Sequence, residues 1–238
     1  MTAPPILEGR DLHAYYGQSH ILRGVSIAIA PGEAVGLMGR NGMGKTTLIR
    51  TLMGLVPAAR GEVRIDGAVA TGRPTFAIAR SGIAYVPEGR GIFASLSVEE
   101  NLAIAERAPD GAMPVWTRER VLGLFPRLSE RLTNRGDQLS GGEQQMLAIA
   151  RALLGNPRLV IFDEATEGLA PLVRDEIWRT IRSIRAAGVA TLIVDKTVAE
   201  VAAVVDRVMI LVKGQAVVEG PARDILSDTA LMHRHLGV

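Results

Sequence analysis

The chain has 238 residues, 47% of them apolar, enough for one large domain or two modest ones around a substantial core. Its net charge of +2, without a long basic block, and its 4% aromatic content give no footprint for nucleic acid. It has no cysteine, which excludes disulfides and thiolate-held metals and fits the cytosol; no apolar run approaches the ~20 residues of a membrane span, and no signal peptide is expected.

Ile6 to Tyr16 and Ile21 to Ile29 read as strands, and Pro31-Gly32-Glu33 turns the chain into a third, Ala34 to Met38. Tyr16, beside Gly17, has two readings: a ring that stacks on adenine, or an ordinary strand aromatic. The third strand runs into Gly39-Arg40-Asn41-Gly42-Met43-Gly44-Lys45-Thr46-Thr47, which fits G-x-x-x-x-G-K-[ST]. Leu48, Ile49, Leu52, Met53 and Leu55 then recur at helical spacing. A glycine-rich turn beside a lysine is the plainer reading, but strand, glycine turn and helix in that order give the motif its meaning as a phosphate-binding loop. Gly39, Gly42 and Gly44 let the backbone curl, so that successive N–H groups of the loop, through Asn41 and on to Thr47, face an anion. The helix start adds its partial positive charge. Lys45 is expected to reach the terminal phosphates of a nucleoside triphosphate and Thr46 to hold Mg²⁺.

Gly61 to Gly67 alternates and ends in Asp-Gly, a strand entering a turn. Pro74 to Arg80 is a short helix, Gly82 to Val86 a buried strand, and Pro87 to Gly91 a loop. From Ser97 the character becomes helical, with Ser97 and Glu100 as a capping box. Arg118 to Phe125 is a second helix, stopped by Pro126, and Ala108 to Pro114 between them is a loop. Residues 92–155 thus form a helical insert in an alternating α/β chain. Ser140 opens another helix with Glu143 as its capping partner. A cap has no need of Gly141-Gly142, and two glycines at a helix start permit close approach to a ligand.

Leu159 to Phe162 is an apolar run ending in Asp163-Glu164, a buried parallel strand delivering two carboxylates to the sheet edge where ligands bind. A helix marked by Val173, Ile177, Ile181 and Ile184 ends at Gly188. The strand Ala190 to Val194 leads into Asp195-Lys196-Thr197, and a helix follows to about Val205. Val208 to Val212 and Gln215 to Val218 form a hairpin, and Pro221 suits the first turn of a last helix. His13, His20, His233 and His235 show no metal-like cluster with acidic partners, and Trp116 and Trp178 read as packing residues.

The phosphate loop, then Leu139 to Gln144, then Leu159 to Glu164, resemble the Walker A, signature and Walker B motifs of ABC ATPases, over nearly the whole chain. Val86 to Arg90, Leu124 to Leu128, Ser140 to Ala150 and Glu167 to Pro171 resemble, more narrowly, the ATP-binding subunits of branched-chain amino acid importers, to which urea and short-amide importers are close. The resemblance implies an α/β P-loop NTPase fold of the ABC ATPase type. It would have a RecA-like core (about 1–91 and 156–238), an N-terminal antiparallel β subdomain and a helical subdomain insert (about 92–155), all in one ATP-binding domain, 1–238.

By the same resemblance, ATP and Mg²⁺ are the ligands, Tyr16 stacks on adenine, and Asp163 supports the metal with Thr46. Glu164 is the general base; Ser140, Gly141 and Gly142 contact the γ-phosphate held by a facing subunit. Glu88 stands where glutamine is usual, in the loop coupling the γ-phosphate and its metal to a permease. Lys196 replaces a histidine that contacts the γ-phosphate; a lysine holds a phosphate but cannot relay a proton as neutral imidazole does, and a solvated loop lysine is the alternative. Ala165 replaces a usual proline. The implied partners are a second ATP-binding subunit, a heterodimer before a homodimer, two transmembrane permease subunits and an extracytoplasmic solute-binding protein. The chain would sit peripherally on the cytoplasmic face of the membrane. Closure would come from charge-assisted hydrogen bonds of roughly 1.5–3 kcal/mol each, enough in combination for the ~5.5 kcal/mol of a full population switch. Two other readings stand beside an importer ATPase: an ATP-gated clamp with weak hydrolysis of its own, and a soluble ABC protein of repair or translation, against which the absence of a long coiled coil or second ATPase domain weighs.

Overall fold

In the computed structural model, residues 3–107 and 115–237 are described, so the expected loop from Ala108 to Pro114 lies outside them. The chain opens with β1 (Leu7–Tyr16), β2 (Ser19–Ile29) and β3 (Ala34–Met38), and α1 (Lys45–Leu52) follows the phosphate loop. β4 (Arg60–Ile65), β5 (Ala68–Val69), α2 (Thr75–Arg80) and β6 (Ile83–Val86) lead to a helical stretch of α3 (Val98–Ala105), α4 (Arg118–Leu124), α5 (Pro126–Ser129) and α6 (Gly141–Leu154). Then come β7 (Leu159–Asp163), α7 (Pro171–Ala186), β8 (Ala190–Val194), α8 (Val198–Ala202), β9 (Arg207–Val212), β10 (Gln215–Pro221), α9 (Ala222–Ser227) and α10 (Thr229–His235).

The strands form two sheets. One is antiparallel, in the order β2-β1-β4-β5; the other runs β10-β9-β3-β8-β7-β6, parallel except for the β9–β10 hairpin. The parallel strands are apolar on both faces because both are covered. Along β7, Leu159 and Ile161 point to a core shared with the antiparallel sheet and α1, while Val160 and Phe162 point to a second core shared with α6, α7 and the helical stretch. The period-2 alternation of a strand thus divides one apolar run between two cores. The carboxyl ends of β3, β7 and β8 carry the phosphate loop, Asp163-Glu164 and Asp195-Lys196 to one edge.

Several boundaries differ from expectation. β2 starts at Ser19, because the Tyr16–Ser19 pair closes the hairpin, and the two-residue β5 pairs with β4 through the Asp66-Gly67 turn. Pro126 ends α4 and also opens α5, where its missing N–H costs nothing. Pro221 closes β10 and caps α9, and Asp228 caps a further helix, α10, by accepting the Leu231 N–H at 2.9 Å. Two of the four histidines meet across the β1–β2 hairpin. Irregular register in β1 brings His13 within 3.0 Å of His20, with Asp11 at 3.3 Å on the other side of the His13 ring. Trp116 and Trp178 are buried.

Candidate active site

The phosphate loop curls as its glycines require: Gly39, Gly42 and Gly44 all have positive φ. Gly44 precedes α1 in the left-handed region and leaves the helix start without a side-chain cap. The first-turn N–H groups of α1 therefore border the cleft unclaimed by any capping side chain. The buried Lys45 Nζ donates to the carbonyls of Gly39 at 2.8 Å and Arg40 at 3.2 Å, and burial lowers its pKa while Glu164 and Asp163 oppose the shift. A cleft of about 360 Å³ is lined by the loop together with Thr46, Glu88, Glu164, Glu167 and Lys196.

Asp163 is buried at the end of β7, and burial raises its pKa. Two hydroxyls oppose this: Thr46 Oγ1 donates at 3.2 Å and Tyr85 Oη at 3.0 Å, one to each carboxylate oxygen. Thr46 and Asp163 together are an oxygen-only donor set of one hydroxyl and one carboxylate. That set suits Mg²⁺, which takes few protein ligands and completes its shell with water and phosphate. Glu88 is exposed and lies in a second acidic group with Glu164 and Glu167, their oxygens within 4.8 Å of one another.

Glu164 is the first residue beyond β7 and has φ of 51°, a region that costs an ordinary side chain of order 1–2 kcal/mol. Its N–H donates to Val194 O at 2.8 Å, tying that backbone turn to β8. The carboxylate stands 3.8 Å from Lys45 Nζ and 3.4 Å from Lys196 Nζ. Burial, reinforced by a hydrogen bond and like charge from Glu167, pushes the Glu164 pKa up to about 7, against the pull of the two lysines. Glu167 moves below its ordinary range, since Glu164 and Lys196 both donate to it, the lysine at 2.5 Å. Asp195 fastens the loop carrying Lys196: it accepts from Thr166 Oγ1 at 2.6 Å and from the Thr197 N–H at 2.9 Å.

At the other end of the helical stretch, Ser140 caps the 14-residue α6 with the expected box: its Oγ accepts the Glu143 N–H and its own N–H donates to Glu143. Glycine at 142 has a reason within the chain, and at 141 the nearest atoms belong to the movable tip of Arg90. A Cβ on Gly141 would lie 2.8 Å from Arg90 Nη2, and one on Gly142 would lie 2.8 Å from Val173 Cγ1. Arg90, with φ of 65°, lays its guanidinium across Gly141 and donates to Gln144 Oε1 at 2.7 Å. Arg151 makes a second tie between that loop and α6, donating to Gly91 O at 2.6 Å with its guanidinium 4.5 Å from the Phe93 ring centre.

The ABC transporter family profile matches residues 22–167, the span that holds the phosphate loop, the α6 start and Asp163-Glu164. The chain belongs to the ABC transporter family. It is an ABC ATP-binding subunit and an ATPase, with the mixed α/β fold of the ATP-binding cassettes. It is 40% identical over 223 residues to the high-affinity branched-chain amino acid transport ATP-binding protein BraG of Pseudomonas aeruginosa, covering 94% of this chain and 96% of that protein. It is 35% identical over 235 residues to the lipopolysaccharide export system ATP-binding protein LptB of Acidithiobacillus ferridurans, covering 98% and 97%. A solved ATP-binding subunit of an ABC transporter superimposes with a TM-score of 0.83 at 30% identity, covering 98% of this chain and 96% of the other.

In this ABC subunit, Lys45, Thr46, Asp163, Glu88, Glu164 and Lys196 converge on one sheet edge, with Asn41 and Thr47 in the same cleft lining. Tyr16 stands outside that lining, exposed, its hydroxyl facing the Arg50 guanidinium. Ser140, Gly141 and Gly142 likewise stand outside the lining. Tyr85, Arg90, Thr166, Glu167 and Asp195 carry contacts that the sequence reading assigned to none of them. Glu167 was the one with a signal, three residues after a carboxylate at a strand end.

Proposed function

We propose that this subunit powers import of branched-chain amino acids from the cytoplasmic face of the membrane, paired with a second ATP-binding subunit beneath two permease subunits. The 40% identity to BraG over almost the full length of both chains carries this reading. Among the described residues no helix is long and apolar enough to cross a membrane, so a permease would supply the translocation path. A solute-binding protein outside would deliver the amino acid.

In this reading the core residues bind ATP and residues 92–155 transmit movement to the permease. Tyr16 covers the adenine, and the loop from Gly39 to Thr47 holds the phosphates. Lys45 exchanges two backbone carbonyls for phosphate oxygens, a gain in charge pairing at little cost in position. Mg²⁺, held by Thr46 and Asp163 and reached by Glu88, would neutralise phosphate charge. Glu164 takes the proton of the attacking water; a pKa near 7 suits a base that must accept and release protons at neutral pH. Lys196 supplies charge to the γ-phosphate, and a facing chain adds Ser140, Gly141 and Gly142.

The match to LptB supports a second reading, the motor of a lipopolysaccharide exporter. Uptake of labelled leucine by cells lacking the subunit separates the two. Loss of uptake, restored by the wild type but not by Lys45→Ala, supports the proposal. Retained leucine uptake with lost urea or short-amide uptake moves the substrate. Intact uptake with lipopolysaccharide held back from the cell surface replaces import by export.

A further inference from the structure

Asp163 is 1% exposed, and two hydroxyls from different elements reach it. Thr46 Oγ1 donates to Oδ1 at 3.2 Å and Tyr85 Oη to Oδ2 at 3.0 Å. Tyr85 lies on β6 opposite Ile161 of β7, so Asp163, two residues further along β7, shares its face of the sheet. Leu48, Ile49 and Leu52 of α1 pack into the core on that face, with Ile161 and Tyr85. Thr46 and Arg50 stand four residues apart on α1, on one side of the helix. The Arg50 guanidinium faces the hydroxyl of Tyr85 as well as that of Tyr16. Elementary chemistry fixes the direction of each bond. A guanidinium only donates, and a phenol has a single proton. Tyr85 therefore accepts from Arg50 and gives its proton to Asp163.

We propose that Tyr85, oriented by Arg50, is a positioning residue for the metal of this ATPase, holding the Asp163 carboxylate in the orientation that meets Mg²⁺. The inference rests on the reading that Thr46 and Asp163 hold that ion. The two hydroxyls differ in what they can do there. Thr46 offers its oxygen to the ion as a ligand, so its tie to Oδ1 is the one that metal binding rearranges. Tyr85 occupies the other carboxylate oxygen and stands behind the ligand set, so its tie can persist. It then remains as a donor to a buried carboxylate whose terminal torsion is intrinsically broad. Ligating carboxylates are themselves hydrogen-bonded in this way, and loss of such an outer partner weakens metal binding about 10–100-fold.

The test measures binding of a non-hydrolysable ATP analogue to the full chain by calorimetry, once in EDTA and once in excess Mg²⁺. The wild type should bind more tightly with Mg²⁺. Tyr85→Phe keeps the ring and removes the hydroxyl; it should match the wild type in EDTA and bind about tenfold more weakly in Mg²⁺. Arg50→Ala, at an exposed position, should show the same metal-dependent loss to a lesser degree, and carries the test if Tyr85→Phe does not fold. Asp163→Asn separates the two ways of failing. If it keeps the full gain from Mg²⁺, the metal reading falls and the proposal with it. If Asp163→Asn loses the gain while Tyr85→Phe keeps it, the metal reading stands and the role of Tyr85 is overturned. A Tyr85→Phe loss that is equal in EDTA and in Mg²⁺ makes Tyr85 a packing residue and overturns the proposal as well.

Discussion

Two helix starts in this chain follow glycine-bearing turns, and their own residues treat them differently. At α1 no side chain caps the first turn, and Lys45 donates to backbone carbonyls of the loop it serves, with the Glu164 carboxylate 3.8 Å away. At α6 the capping box satisfies Ser140 and Glu143 mutually, and Arg90 lies across Gly141. The first start can gather a phosphate from N–H groups and an ammonium within one chain. The second is rigid and already partly satisfied, so a phosphate brought to it gains only the hydroxyl and the remaining N–H groups. ATP should therefore bind first at α1, and a facing α6 should add the smaller, closure-dependent share.

Glu164→Gln gives the largest effect that sharpens this contrast. Removing a general base costs about 10²–10⁴ in turnover, while ATP binding to the isolated chain should persist because the α1 cradle is untouched. Phosphate release from the assembled complex and equilibrium binding of ATP measure the two separately. Retention of most of the turnover would remove Glu164 from the chemistry.

Gly141→Ala should cost less and act only at α6. Its Cβ, 2.8 Å from Arg90 Nη2, forces the guanidinium off the helix start. The guanidinium is the far end of a flexible side chain and can swing aside, so the loss of stability should be small and the loss of turnover well below that of Glu164→Gln. Combining it with Arg90→Ala should restore the melting temperature lost to the clash. If Gly141→Ala instead weakens ATP binding by the isolated chain as much as it slows turnover, the two helix starts are not separable.

The residues of the α1 start were legible in the sequence because everything they need is local: strand, turn and helix are consecutive, and the motif places Lys45 and Thr46 on one cleft. Asp163 and Glu164 were legible for the same reason, at the end of an uninterrupted apolar strand. What escaped was contact between distant segments. Arg90 and Gln144 are 54 positions apart, and Lys196 reaches Glu167 across 29. No periodicity encodes either pair. Nor does the sequence show that Val173, 31 positions on, packs against Gly142. The same holds for His13 and His20, whose approach depends on irregular register that a strict two-residue alternation does not reveal. Pro126, read as a stop, was a stop and a start together.

The smallest effect lies in the pH profile, where the α1 side can be tuned without touching the cradle. As the proposed base, Glu164 must be ionised to accept a proton, so turnover should rise with pH around a midpoint near 7. Lys196, 3.4 Å away, favours the ionised form; Lys196→Ala should move the midpoint upward. Glu167 disfavours it by like charge; Glu167→Gln should move the midpoint downward. Both partners are exposed, so solvent screening keeps each displacement small. The sign for stability runs the other way from activity. A carboxylate whose folded pKa lies above its ordinary 4.5 stabilises the fold most below that value, and the contribution fades as pH rises through about 7. Glu164 should therefore be most active where it stabilises least. Turnover at saturating ATP and thermal midpoints, both followed from pH 5 to 9 in the two variants, decide this: opposite displacements of the rate midpoint support the charge network, and displacements of the same sign overturn it.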